Sequence, residues 1–286
     1  MDRRHFLIRT VAGTAGAAVM PSLFSGCRTG PEDPLHQFGI ITNVVREMIE
    51  SDHRGTMALL AEMGYRYLEF GGAFGEDPGE LKDFMNDIGL VPLAGGTSLS
   101  GLQGDGLQES MESCMEMDKK YLVCYWPWMT GADEVDMDQI RITVEECHRI
   151  GEACNRNGLR FAFHNHDHEF RMVDGRVIYE YVLENTDPEM VTMEIDLYWA
   201  HKGGADIREY FHRYPGRFEL VHVKDSYDSP DRRSFACVGS GILDFPDLFS
   251  YRETAGFQHL IVEHDDPENE ESCARSSIEY LKSLDF

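Results

Sequence analysis

The sequence predicts a single (β/α)₈ TIM barrel, and three observations lead there. The chain has 286 residues; with a targeting segment set aside, about 250 remain, the usual length of one such barrel. Short β-like runs alternate with longer helical ones from residue 37 onward, eight of each, which argues a parallel sheet with helices outside it. Glycines close helical stretches just before the next strand opens.

The strands are expected at 37–42, 65–70, 90–94, 121–125, 159–164, 191–196, 218–224 and 259–263. Helices fill the gaps near 53–63, 77–88, 105–118, 137–156, 176–185, 205–213, 245–254 and 268–283. Gly64, Gly89, Gly158 and Gly256 each end a helical stretch, where a left-handed residue lets the chain turn back. An open doubly wound sheet is the rival. It usually carries a glycine-rich phosphate loop after its first strand, and Thr42-Asn43-Val44-Val45 is no such loop. Residues 71–76, 95–104 and 225–244 form the irregular loops after strands two, three and seven. In a barrel these gather at the C-terminal face, where active sites sit.

The first 27 residues read as an export signal. Asp2-Arg3-Arg4-His5-Phe6-Leu7 precedes an apolar run rich in Gly and Ala from Val11 to Met20, too short to span a bilayer. The pattern resembles a twin-arginine signal. Phe24-Ser25-Gly26-Cys27 resembles a lipobox, which would make Cys27 the acylated start of a lipoprotein. Residues 28–36 form a short linker and 37–286 the barrel. A periplasmic or lipid-anchored bacterial protein is therefore expected, touching the membrane only through Cys27. The formal net charge is −25, so neither nucleic acid nor an acidic membrane surface is an expected partner. No pair among Cys114, Cys124, Cys147, Cys154, Cys237 and Cys273 has metal-type spacing. All six are expected to be buried thiols.

Strand alternation sorts the chemistry. Ala162, His164 and His166 share one side of strand five, and Glu194 and Asp196 one side of strand six. Leu220, His222 and Lys224 share a side of strand seven, Ile261 and Glu263 of strand eight, and Tyr65, Tyr67 and Glu69 of strand two. In each case the polar group stands near the C-terminal end. Crowding such groups without a counter-charge costs several kcal/mol each, and a divalent cation removes that cost. His164, Asp196, His222 and Glu263 lie one βα unit apart and form the expected metal set. Two imidazoles with two carboxylates suit Mn, Co, Zn or Fe better than Ca or Mg. Trp126 and Trp199 are candidate faces for a sugar ring, and Glu69 a candidate hydroxyl acceptor.

FHNHDHEF at 163–170, EIDLYWAHKGG at 194–204, LVHVKD at 220–225, VGSGILDF at 238–245 and LIVEHDDP at 260–267 carry a resemblance. Together they resemble the sugar phosphate isomerase/epimerase family, the xylose-isomerase-like TIM barrels, from about residue 37 to the C-terminus. The resemblance implies a metal held by Glu, Asp, His and Glu from strands five to eight. Asp196, His222 and Glu263 match, whereas His164 stands where many relatives place Glu. Either His164 is the ligand, or Glu169 folds back to take its place and meets substrate there. His166 matches a catalytic histidine of some relatives, while Ala94-Gly95-Gly96-Thr97 lacks the histidine many carry after strand three. The implied activity is isomerisation or epimerisation of a small sugar or keto-sugar. A proton would leave beside a carbonyl through a metal-stabilised enediolate, with His166 and Glu263 as the acid–base pair and Lys224 as helper. Lyase or dehydratase chemistry on a 3-keto-glycoside, and a non-catalytic carbohydrate-binding barrel, are the alternatives.

Overall fold

The computed structural model describes residues 34–286 except 73, 130 and 132–134. The expected signal segment and Cys27 lie outside the described residues. Eight parallel strands close into a barrel: β1 (Gly39–Ile41), β2 (Tyr67–Phe70), β3 (Val91–Ser98), β4 (Tyr121–Trp126), β5 (Arg160–His164), β6 (Val191–Asp196), β7 (Leu220–Val223) and β8 (His259–Val262). Each pairs with its sequence neighbour, and β8 returns to β1 through Gly39 opposite Ile261. The fold class read from the sequence is the one observed. Five of the eight expected strands are trimmed by one to three residues, β6 keeps its expected bounds, β4 gains Trp126 and β3 starts one residue later and runs on to Ser98.

Helix ends follow local chemistry. Asp52, Asp77, Asp136, Asp206, Asp244 and Asn269 each accept a backbone N–H at a helix start, satisfying donors that have no partner within the helix. Gly64 (φ 101°) and Gly89 (φ 84°) close their helices in the left-handed region, where a Cβ is costly. The main core lies between sheet and helices. Phe161, Phe163, Met193, Ile195, Val221, Val223, Leu260 and Val262 are buried there, and Phe163 packs its ring on Tyr179.

The alternate residues of these strands make a polar lumen. At its base His259 meets the ring edges of Tyr67 and Tyr121, and Arg160 pairs with Glu219 at 2.5 Å. The acids and histidines of the site stack above that layer.

The cysteine expectation needs one correction. Cys114, Cys124, Cys147 and Cys154 are free and buried. Cys237 and Cys273, however, form a disulfide. They bring the loop after β7 against the last helix, a long-range contact that linear spacing does not reveal.

Candidate metal centre and mouth cavity

Two groups of side chains converge in the lumen, each with ligand-type atoms within 4.8 Å of one another: His164, Asp196 and His222, and Glu69, Glu194 and His222. His222 belongs to both. Its Nε2 lies 3.1 Å from Glu69 Oε1 and 3.5 Å from Glu194 Oε2, and its Nδ1 lies 3.9 Å from Asp196 Oδ2. His164 Nδ1 is 3.0 Å from Glu194 Oε2. Tyr125 donates its hydroxyl to Glu69 Oε1 at 2.8 Å.

Local structure aims these groups. Asp196 ends β6 and caps the helix Leu197–Lys202: its Oδ1 accepts Trp199 N–H at 2.9 Å, and its Oδ2 is left for the lumen. Asn165 ties β5 to β6, accepting Asp196 N–H at 3.2 Å. It holds the strand ends that carry His164 and Asp196 in register.

The electrostatics are those of a site with surplus negative charge. Burial, then the charge of Glu69, pushes Glu194 well above the usual carboxylate range. Burial raises Asp196 to about 6, against the pull of Lys224 and His222. Burial disfavours a charged His222, yet the charges of Glu194 and Glu69 lift it to about 10. His164 is driven well below 6.5 by burial and by His222 beside it. Four buried atoms, Glu69 Oε2, Glu194 Oε1, Asp196 Oδ2 and His222 Nδ1, make no hydrogen bond. Buried polar atoms normally find partners, and a divalent cation would satisfy carboxylate oxygens and imidazole nitrogens together. The donor set therefore fits a metal of the Zn, Mn, Co or Fe type.

Three expectations change. Glu263 does not enter either group among the described residues; its Oε2 sits 2.7 Å from Lys224 Nζ. Glu169 enters neither metal group among the described residues. It accepts Trp128 Nε1–H and His166 N–H, each at 2.6 Å, because in the turn Asp167–Phe170 its carboxylate reaches back to the backbone that opens the turn. Glu69, the candidate hydroxyl acceptor, already has protein partners. It lies wholly buried under His222 and Tyr125. Glu194, placed on the same side of strand six as Asp196, was not among the expected ligands, and Asn165 was given no role. Glu194 is two residues before Asp196 on the same side of β6, and that parity was the available signal.

Above the metal groups is a cavity of about 400 Å³ lined by His166, Trp126, Trp199 and Asp265, with Arg46, Arg232 and Arg233 at its edge. His166 meets Trp126 and Trp199 with ring centroids 5.5 Å apart in each case. Its Nδ1 is buried without a partner, and burial followed by repulsion from Lys224 lowers its pKa to about 4. Lys224 is buried between Glu263 and Asp265, with its Nζ 4.8 Å from the Trp199 ring. Those acids overcome burial and hold it charged. Glu263 is raised by burial to about 7, with Lys224 opposing.

Fold and site together define a TIM barrel whose strand ends present carboxylates and imidazoles beneath an aromatic mouth. The xylose isomerase-like TIM barrel family model matches residues 57–284, and the chain belongs to that family. An inosose dehydratase of Geobacillus kaustophilus is 25% identical over 225 residues, covering 67% of this chain and 72% of that protein. A sugar phosphate isomerase/epimerase structure from Parabacteroides distasonis superposes with a TM-score of 0.75 at 24% identity, covering 86% of this chain and 93% of the other. The structure of an IOLI protein with a bound zinc atom superposes at 0.68 and 16% identity, covering 86% and 95%. These structural likenesses concern the fold.

Proposed function

We propose that this protein is an exported, divalent-metal-dependent lyase that dehydrates a sugar-like cyclic ketone by removing the proton beside its carbonyl. The observation carrying the reading is the convergence of His164, Asp196, His222, Glu69 and Glu194 with four unpartnered buried atoms. His164, Asp196 and His222 would hold the metal nearest the mouth, with Glu69 and Glu194 supporting His222 from below. When bound, the metal would polarise the substrate carbonyl and ease loss of the neighbouring proton.

The chain's own residues supply the rest. His166 is neutral at pH 7 and has a buried nitrogen without a partner, so it can accept the carbon-bound proton. Lys224 places a fixed positive charge beside the developing oxyanion. Glu263, poised near 7, donates a proton to the departing β-hydroxyl. The C–O bond then breaks, water leaves and a C=C bond remains. Trp126 and Trp199 offer flat faces to the ring. Elimination is favoured over isomerisation because relatives such as that of Geobacillus kaustophilus are named inosose dehydratase. The Cys237–Cys273 disulfide suits an oxidising compartment and supports export.

The test incubates metal-loaded protein with inosose and 3-keto-sugars in deuterated water, followed by NMR. Dehydration gives a conjugated enone with loss of one water. Isomerisation would give solvent deuterium in a product of unchanged composition. Neither exchange nor water loss with any of these ketones would sink the reading and favour a non-catalytic carbohydrate-binding barrel.

A further inference from the structure

The chain carries a formal charge of −25, yet three arginines, Arg46, Arg232 and Arg233, stand at the mouth cavity. The loop after β7 supplies two of these three residues. Arg232 is preorganised. Its Nε and Nη2 grip both oxygens of Asp167 at 2.5 and 2.6 Å, and its guanidinium lies 4.5 Å above the Trp199 ring. That leaves its Nη1 edge without a hydrogen-bond partner among the described residues. Arg233 lies over the Phe235 ring, 5.3 Å from its centroid, and its one ion pair among the described residues is a 3.7 Å contact to the exposed Asp266, which solvent screens strongly. Arg46, exposed at the start of the helix Arg46–Ser51, has no ion pair among the described residues. Asp265, the acid in the cavity wall, is already paired with Lys224.

We infer that the substrate is a sugar acid, whose carboxylate is read by Arg46, Arg232 and Arg233 while its ring lies between Trp126 and Trp199. The inference rests on the keto-sugar reading above and narrows it. Planar guanidinium edges match the two oxygens of a carboxylate. With Arg232 balanced by Asp167, the free positive charge comes from Arg46 and the weakly paired Arg233. On charge alone that balances a monoanion or a dianion, and the phosphate arm of the titration separates the two.

The test is calorimetric titration of the metal-loaded protein with D-glucose, D-glucuronate and D-glucose 6-phosphate, at low and high salt. D-glucuronate is expected to bind roughly tenfold or more tighter than D-glucose, the scale of one charge-assisted contact, and to lose that advantage as salt rises. The double variant Arg46→Ala, Arg233→Ala should bind D-glucuronate no better than D-glucose. Equal affinity for the three sugars, no binding of any, or an advantage surviving the double variant overturns the inference. Tighter binding of D-glucose 6-phosphate than of D-glucuronate overturns the carboxylate and points to a phosphate. Failure of the dehydration test leaves this binding difference standing, whereas equal binding beside intact dehydration removes only the sugar acid.

Discussion

His259, at the base of the lumen, sits far from the chemistry but should govern acid stability. Burial, with Lys120 adding repulsion, lowers its pKa to about 4, and its Nδ1 has no hydrogen-bond partner. In the unfolded chain the ring takes up a proton near 6.5. Between pH 6.5 and 4 the unfolded state therefore binds more protons, and stability is lost as pH falls through that window. The loss attributable to this ring approaches about 3 kcal/mol, taking 1.4 kcal/mol per pH unit. His259→Phe keeps ring contacts to Tyr67 and Tyr121 and should flatten the urea-denaturation profile across pH 4–6.5. An unchanged slope would refute the assignment. At this scale, parity along the strands made the lumen-facing residues readable, His164, Asp196 and His222 among them. Glu169 was not readable that way, since a tight turn and the Trp128 indole, distant in sequence, decide where its carboxylate goes.

The loop after β7 shows what an element adds beyond its residues. Asp225 gathers four backbone N–H groups, from Ser226, Gly239, Gly241 and Leu243, at 2.8–3.1 Å. The disulfide fixes Cys237 to Cys273 in the helix Glu270–Ser283, and Val238 N–H reaches Ser277 Oγ at 3.2 Å. The loop so anchored presents Arg232 and Arg233 to the mouth. Cross-linking residues 36 apart restricts the unfolded chain by about 3–4 kcal/mol in the chain-entropy view. Cys237→Ser with Cys273→Ser should lower unfolding free energy by that order in denaturant titrations. It should also raise hydrogen exchange across 237–243 more than in β5 or β6. A double variant as stable as the parent would show that the bridge carries no such load. Glycines and polar residues marked 225–244 as a functional loop. The cross-link was hidden because it depends on how the last helix packs across the barrel.

At the scale of the whole molecule the barrel was legible because its signal repeats. Eight alternations, with glycine stops such as Gly64 and Gly89, agree with one another, and errors at single strand ends do not disturb closure. The metal groups were legible in part: His164, Asp196 and His222 follow from strand order, while Glu263 is diverted by Lys224, a partner on the adjacent strand. Closure concentrates the acids. Glu69 from β2 and Glu194 from β6 approach opposite sides of the lumen and meet at His222. Without a cation the fold bears the cost of buried like charges, several kcal/mol for an uncompensated ion. A ligand that binds only the folded state stabilises it by RT ln(1 + [L]/Kd), about 2.7 kcal/mol at a hundredfold excess over Kd. Chelation should therefore lower Tm by several degrees, and Tm should climb with the logarithm of added Zn²⁺ or Mn²⁺. Glu194→Gln removes one of the crowded charges, so the chelated variant should melt above the chelated parent and gain less from added metal. A Tm indifferent to chelator and to both metals, in parent and variant alike, would mean that the lumen acids are balanced by protons and His222 alone.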